Sequence, residues 1–236
     1  QAMLYHSLRG NLSSVMDFGR GEALESWVLK PTSPYSASKA AADMLLLSYH
    51  KTYNFPVIIV RSCNNYGPNQ YPEKLIPLTI TRLLQGKKAI LHGEGTEIRE
   101  WIYVEDCVRA IEKVMYDGVV GEVYNIGSGD RKKNRDVIAE IVDILRPAID
   151  AIASGRWIDY VNQYSNRPGN DCRYALNSDK IHNLFDEGEE ELNTYMRMSF
   201  DKGLQQTIQW YKDNTDWWGE VNIDANIYKD NEEYMR

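Results

Sequence analysis

Ser33-Pro34-Tyr35-Ser36-Ala37-Ser38-Lys39 opens a helix, and behind Pro56 comes Val57-Ile58-Ile59-Val60. A hydroxyl residue followed by proline is a helix start. The side chain caps a free N–H, and proline at the first position lacks only an N–H that had no partner. Alanine and leucine carry the helix from Tyr35 to about Tyr53. The β-branched run behind Pro56 shows no polar alternation. It predicts a short strand buried on both faces, as in a parallel sheet.

The alternation continues outward from this pair. Leu78 to Gln85 reads as a helix stopped at Gly86, and Glu105 to Tyr116 as an amphipathic helix. Ala89–His92 and Trp101–Val104 read as short strands around the Gly93-Glu94-Gly95 turn. Val123–Ile126 reads as a strand ended by Gly127-Ser128-Gly129, and Arg135 to Leu145 as a helix. Asn64 to Pro77 is polar, with Gly67, Pro68 and Pro72, and reads as a loop of functional length. Residues 1–31, broken by Gly10, Gly19 and Gly21, read as loop with one short element. A boundary is expected near 146–156, then a strand near Trp157–Val161 and a long helix near Ser199–Lys212. Asp186–Glu191 reads as a solvated acidic insertion and 219–236 as a polar tail. Helices alternating with buried strands indicate an α/β layer. The last part is closer to α+β, like an appended substrate lid.

The chain has 236 residues with net charge −7 and a pI near 5.2. This length buries a full core. The acidic balance argues against nucleic acid or an anionic membrane as the main partner. Cys63, Cys107 and Cys172 are far apart and form no C-x-x-C pair, which favours a reducing, cytoplasmic compartment. No run reaches the roughly 18 apolar residues of a membrane helix, and the start shows no signal-peptide pattern. His6, His50 and His182 have no ligand spacing, so no metal is expected.

Tyr35 and Lys39 carry the chemistry. Residues at i and i+4 share a helix face. A free phenol holds its proton to about pH 10, so a tyrosine acting as a base near neutrality needs a cation beside it. Lys39 is that cation, and a tyrosinate can take a proton from an alcohol. That is half of the apparatus for oxidising a sugar hydroxyl with a nicotinamide. Taken alone, the pair describes an ordinary surface Tyr–Lys contact. The blocks that follow it give it a role.

Those blocks are Asn64-Asn65-Tyr66-Gly67-Pro68-Asn69-Gln70-Tyr71-Pro72-Glu73-Lys74-Leu75-Ile76-Pro77, Arg99-Glu100-Trp101-Ile102-Tyr103-Val104-Glu105-Asp106, Tyr124-Asn125-Ile126-Gly127 and Asn166-Arg167-Pro168-Gly169-Asn170-Asp171. In this order, with the Tyr35 block, the chain resembles the extended short-chain dehydrogenase/reductase family. Within it, the resemblance is to nucleotide-sugar 4,6-dehydratases, the dTDP-glucose and UDP-glucose enzymes that begin rhamnose synthesis. It runs from about Pro31 to Gly219, and the ending Trp210-Tyr211 through Trp217-Trp218-Gly219 looks like the UDP-glucose branch.

The resemblance implies a truncated Rossmann-like fold, a doubly wound parallel sheet with a smaller C-terminal α+β substrate domain. Residues 1–62 would be the remnant of the NAD-binding domain with the Tyr-x-x-x-Lys helix, and 63–104 substrate-domain loops and strands. Residues 105–130 would return a Rossmann helix and strand, 131–219 would form the substrate-binding domain, and 220–236 a tail. NAD is the implied cofactor and a nucleotide-diphosphate sugar the implied substrate. Tyr35 and Lys39 would be catalytic and would also contact NAD, with Asn65 a further cofactor contact. Asn64, Lys74, Leu75, His92, Arg99, Asn134, Arg167 and Asn170 would bind substrate. Lys74 would grip a phosphate, and the planar forks of Arg99 and Arg167 suit a pyrophosphate. The family's dimer packs the Tyr35 helix in a bundle, which makes a homodimer the implied assembly.

The chain departs from that pattern in two places. The relatives carry a general acid and base as adjacent Asp and Glu after a Thr, in a Ser-Thr-Asp-Glu-Val-Tyr-Gly stretch upstream of the tyrosine. The gap-free placement here is Ser13-Ser14-Val15-Met16-Asp17-Phe18-Gly19. Ser14 keeps the hydroxyl as a catalytic candidate. Val15 and Met16 cannot transfer protons, and Asp17 is displaced, which on a strand means the opposite face. The glycine-rich dinucleotide turn is also missing, so retention of NAD and turnover by this chain alone are not expected. Two other readings stay open. One is a non-catalytic protein that keeps the sugar-nucleotide cleft. The other is an epimerase or decarboxylase, which needs the Tyr–Lys pair but no Asp-Glu pair.

Overall fold

The computed structural model describes residues 3–8, 21–149, 155–165, 171–185 and 195–221. In chain order the first elements are β1 (Met3–Leu8), α1 (Pro34–Tyr53), β2 (Val57–Ser62), β3 (Asn64–Tyr66), α2 (Leu75–Leu84), β4 (Ala89–His92), β5 (Ile98–Tyr103) and α3 (Val104–Asp117). They are followed by β6 (Val123–Ile126), β7 (Arg131–Lys133), α4 (Asn134–Ile149), a 3-10 turn (Trp157–Tyr160), β8 (Val161–Tyr164), α5 (Asp179–His182), α6 (Phe200–Asp213) and α7 (Thr215–Gly219). The chain forms two compact units, one from 1–65, 98–131 and 171–200, the other from 66–97, 132–170 and 201–236.

The first unit is built on a parallel sheet in the order β1-β2-β6. Leu8 lies opposite Ser62, and Ser62 opposite Ile126, so the three strands end level. All of β2 is buried, as its β-branched run requires of a central parallel strand. Alternate side chains point to opposite faces. Ile58 and Val60 pack with Cys107, Ala110 and Val114 of α3, together with Tyr124, Ile126 and Leu176. From the other face, Arg61 Nε donates to Asp43 Oδ2 of α1 at 3.0 Å. Helices thus cover both faces of β2, the doubly wound arrangement.

α1 starts as its sequence dictates. Ser33 Oγ accepts from Ser36 N at 3.1 Å, Pro34 occupies the first turn, and Asn54 ends the helix in the left-handed region at φ 54°. β1, the short element expected in the first thirty-one residues, pairs parallel to β2. A bridge from Ala23 to Leu176 brings a later segment alongside.

The second unit packs α2 against α4 and pairs β4 with β8 in parallel. Ile76, Ile80 and Leu83 of α2 are buried, as are Val137, Ile138, Ile141, Val142, Leu145 and Ile149 of α4. Both sets follow helical spacing. At the carboxyl end, Leu204, Ile208 and Tyr211 of α6 are buried, and Trp218 Nε1 donates to Tyr211 O at 2.8 Å.

Several boundaries differ from the sequence expectation, β5 among them, which begins at Ile98 rather than Trp101. α2 begins at Leu75 rather than Leu78, because Pro77 sits in its first turn, where a missing N–H costs no helical bond. The expected long loop is shortened accordingly, with β3 at its start. α4 runs through Pro147 to Ile149, its buried Leu145 and Ile149 continuing the stripe past the expected stop. Trp157–Tyr160 is a 3-10 turn rather than a strand; the strand is Val161–Tyr164, whose place is set by pairing Ala89 with Val161. Asp186–Glu191, and residues 222–236 of the expected tail, lie outside the described residues.

Candidate functional site

In the first unit α1 joins β1 to β2, two parallel neighbours, so it runs back against them. Its first turn therefore lies at the carboxyl end of the sheet, where open α/β sheets bind ligands. Tyr35 is on that turn and exposed, and half-buried Lys39 follows one turn later. Asn64, buried, and Asn65 follow β2 at the same edge. The Asn65 amide donates to Ser62 Oγ at 3.1 Å and to Cys63 O at 3.4 Å, which fixes its orientation. The edge thus gathers Tyr35, Lys39, Asn64 and Asn65.

Arg99 is buried, and its guanidinium carbon lies 4.1 Å from the centre of the Tyr174 ring, while Nη1 donates to Ile98 O at 2.9 Å. The ring covers one flat face of the fork and holds its plane. Tyr174 OH donates to Asp171 Oδ2 at 2.9 Å, and Thr32 Oγ1 donates to Asp171 Oδ1 at 3.0 Å. One carboxylate therefore ties the ring beneath Arg99 to the residue preceding the α1 cap. Beside it, buried Glu100 accepts from Ser128 N at 2.8 Å, Gly129 N at 2.9 Å and Leu176 N at 2.9 Å. The sequence reading quoted Glu100 and Asp171 within blocks but gave them no part, and passed over Thr32 and Tyr174 as contacts. Only the position of Asp171, just past Arg167-Pro168-Gly169-Asn170, was a signal.

The second unit carries Lys74, Leu75, His92 and Asn134. Lys74 is the residue before α2, in extended conformation, with its ammonium on neighbouring Glu73; Leu75 opens the helix. The ammonium and the helix start both favour an anion. His92 ends β4, its Nδ1 3.3 Å from Ser165 O and its ring 6.0 Å from that of Tyr164. Asn134 opens α4, and its N–H donates to Glu97 O at 3.1 Å. Arg135 N donates to Gly95 O at 3.0 Å, which docks the turn after β4 on the start of α4. Gly95 has φ 63°, and a Cβ there would come within 2.5 Å of Leu91 Cδ1, so only glycine fits. Ser14, Arg167 and Asn170, together with Val15, Met16 and Asp17, lie outside the described residues. No group of three or more potential metal ligands occurs among the described residues.

Cys63 and Cys107 are buried thiols beneath this edge. Burial pushes the Cys63 thiol well up, and the charge of Glu100 adds to it. Burial likewise pushes Cys107 up to about 12. Both stay protonated near neutrality and are poor nucleophiles.

A parallel sheet covered on both faces, with a Tyr–Lys helix and an Asn pair at its carboxyl edge, defines a Rossmann-type α/β protein. The chain belongs to the NAD dependent epimerase/dehydratase family, whose family model matches residues 10–127. It is 41% identical over 212 residues to dTDP-glucose 4,6-dehydratase of Shigella flexneri, covering 88% of this chain and 56% of the relative. Among solved structures it is similar to dTDP-glucose 4,6-dehydratase from Bacillus anthracis in complex with NAD. That likeness has a TM-score of 0.78 at 41% identity and covers 92% of this chain and 64% of the other. The dTDP-glucose 4,6-dehydratase of Streptomyces venezuelae, with NAD and dTDP bound, matches at TM-score 0.79 and 39% identity, over 91% of this chain and 61% of that one. The chain spans little more than half the length of the curated relatives it matches.

Proposed function

We propose that the chain is the sugar-nucleotide-handling part of an NAD-dependent nucleotide-sugar 4,6-dehydratase, which converts dTDP- or UDP-glucose to the 4-keto-6-deoxy sugar. The observation that carries this reading is Tyr35, with Lys39 one turn on, at the carboxyl edge of a parallel sheet that also presents Asn64 and Asn65. The donor set suits the nicotinamide end of NAD: an ammonium and a phenol for the ribose hydroxyls, and an amide at Asn65. When bound, NAD supplies the hydride acceptor and later the donor. Tyr35 takes the proton from the C4 hydroxyl, and Lys39 stabilises the phenolate. The candidates for a phosphate are Lys74 and Arg167 in the second unit and, in the first, Arg99, whose fork is kept in plane by Tyr174. Ser14 is the hydroxyl candidate for the dehydration step.

Dehydration at C5 and C6 also needs a general acid and base. In the gap-free placement of Ser13–Gly19, Val15 and Met16 take the positions the relatives give to them, and on that placement the chain by itself is expected to bind without turning over. Incubation with NAD and dTDP-glucose or UDP-glucose tests this, and appearance of the 4-keto-6-deoxy product would overturn the inactivity. The same substitutions favour a second reading, a sugar-nucleotide-binding protein without redox chemistry. Calorimetry separates the two: UDP or dTDP binding with no NAD affinity supports the second.

The reading extends to a homodimer through α1. Leu45, Tyr49 and Tyr53 of that helix are exposed, a row of apolar side chains that a second copy would cover. Light scattering on the wild type and on Leu45→Glu tests it, a monomer in both cases overturning the assembly. A cytoplasmic setting in rhamnose biosynthesis accords with three free cysteines. No helix among the described residues is long and apolar enough to cross a membrane.

A further inference from the structure

His92 and Tyr164 are partners in the parallel ladder of β4 and β8, each the last residue of its strand. Their rings lie 6.0 Å apart, tilted by 41°. Ile90, Leu91 and Val161 of the same strands are buried, whereas His92 and Tyr164 are both half-buried. Two aromatic rings therefore stand side by side, within reach of solvent, at the carboxyl ends of parallel strands. Ligands of α/β proteins bind at such ends.

The backbone holds the rings in register. Gly93 N donates to Tyr164 O at 2.9 Å, and Gln163 Nε2 donates to Gly93 O at 2.7 Å. The turn beyond His92 is thus tied to the end of β8 through both its N–H and its C=O. Arg135 N to Gly95 O, at 3.0 Å, ties the same turn to the start of α4, beside Asn134. His92 Nδ1 lies 3.3 Å from Ser165 O. A carbonyl only accepts, so Nδ1 carries the hydrogen and the imidazole is held toward β8. Little ordering remains to be done when a ligand arrives.

The rings decide what that ligand part is. They offer flat, polarisable area rather than charge, which suits a flat ring laid against them. A diphosphate is met by cations and helix starts instead. The pyrimidine base is the flat part of a sugar nucleotide. The resemblance gives His92 to the nucleotide, but nothing in the sequence pattern marks Tyr164, whose strand partner lies far back in the chain.

We propose that Tyr164 is a second base-stacking residue, forming with His92 one aromatic surface for the uracil or thymine ring. This rests on the sugar-nucleotide reading above. Stacking reads the flat face of a base and not its edge, so the surface admits uracil and thymine alike and takes a saturated base poorly.

Titration calorimetry of the whole chain with UDP and with 5,6-dihydro-UDP tests the proposal. The dihydro form keeps the pentose, the diphosphate and the hydrogen-bonding edge of the base, but not its flat aromatic face. The wild type should bind UDP on the order of tenfold more tightly than the dihydro form. Tyr164→Phe should keep that preference. Tyr164→Leu, which keeps apolar bulk without a ring, should lose most of it through weaker UDP binding. An unchanged preference in Tyr164→Leu overturns the proposal, as does an equal weakening of both ligands, or a loss in Tyr164→Phe as large as in Tyr164→Leu. In the wild type itself, nuclear Overhauser contacts should join the uracil H5 and H6 protons to the Tyr164 ring, and their absence overturns the proposal whatever the variants do. Failure of the wild type to bind either UDP or dTDP overturns the sugar-nucleotide reading itself, and this proposal with it.

Discussion

Arg61 meets Asp43 with both side chains out of solvent, 6% and 0% exposed, and Nε donates to Oδ2 at 3.0 Å. Arg61 belongs to β2 and Asp43 to α1, one turn beyond Lys39. The pair sets the rotation of the helix on the sheet, and so the direction in which Tyr35 and Lys39 face. Removing one partner leaves a buried charge. Asp43→Ala should cost about 3–5 kcal/mol in urea unfolding. The double change Asp43→Leu with Arg61→Met should recover much of it. A loss below about 1 kcal/mol in the single variant would show that the pair does not fix α1.

Tyr174 both stacks on Arg99 and bonds Asp171, and two substitutions separate these parts. Tyr174→Phe keeps the ring and should weaken UDP or dTDP binding only a few-fold. Tyr174→Ala removes the surface under the guanidinium and should weaken it about tenfold. Calorimetry reads both, and equal effects would mean that the stacking contributes nothing.

Glu100 satisfies three backbone N–H groups and also lies 3.4 Å from Arg131 Nε. Glu100→Ala leaves those donors buried and should destabilise by on the order of 3 kcal/mol. Gly127→Ala attacks the same place from the other side, since a Cβ there would sit 2.4 Å from Glu100 Oε1. Thermal melts should rank both variants well below the wild type, and a melt within a degree of it would rule out the role given to Glu100.

Alkali should loosen the first unit through its thiols. An unfolded thiol ionises near its ordinary value of 9.0, whereas buried Cys107 holds its proton to about 12, and Cys63 is also raised. The folded form therefore keeps protons that the unfolded chain has given up. Stability from these groups is complete below about pH 9 and drains away as the pH climbs toward 12. Urea midpoints from pH 8 to 11 should fall more steeply for the wild type than for Cys107→Ala. Parallel curves would exclude Cys107 as a source. Exposed Cys172 should take up a thiol reagent first at neutral pH.

Local signals were legible in the chain and distant ones were not. The cap at Ser33, the proline after it and the unbroken apolar run at 57–60 gave α1 and β2, because capping and periodicity are decided within a few residues. The same holds for Tyr35 with Lys39. α2 starts at Leu75 rather than Leu78, because the polar, proline-containing stretch before it reads as loop although Pro77 fits a first helical turn. The strand near 160 slipped because its partner β4, far back in the sequence, chooses its residues. Tyr174 under Arg99, Asp171 bonded to Thr32 and Glu100 reaching to Leu176 are meetings across long stretches of chain. Residue type alone does not announce them.

Each unit takes in three separate passages of the backbone, and the passages interleave. No single cut can free either body as a continuous fragment. During synthesis the first unit must wait, with its early strands made, until residues near 200 have left the ribosome. Truncations from the carboxyl end will therefore damage the Tyr35 edge long before they reach it in sequence.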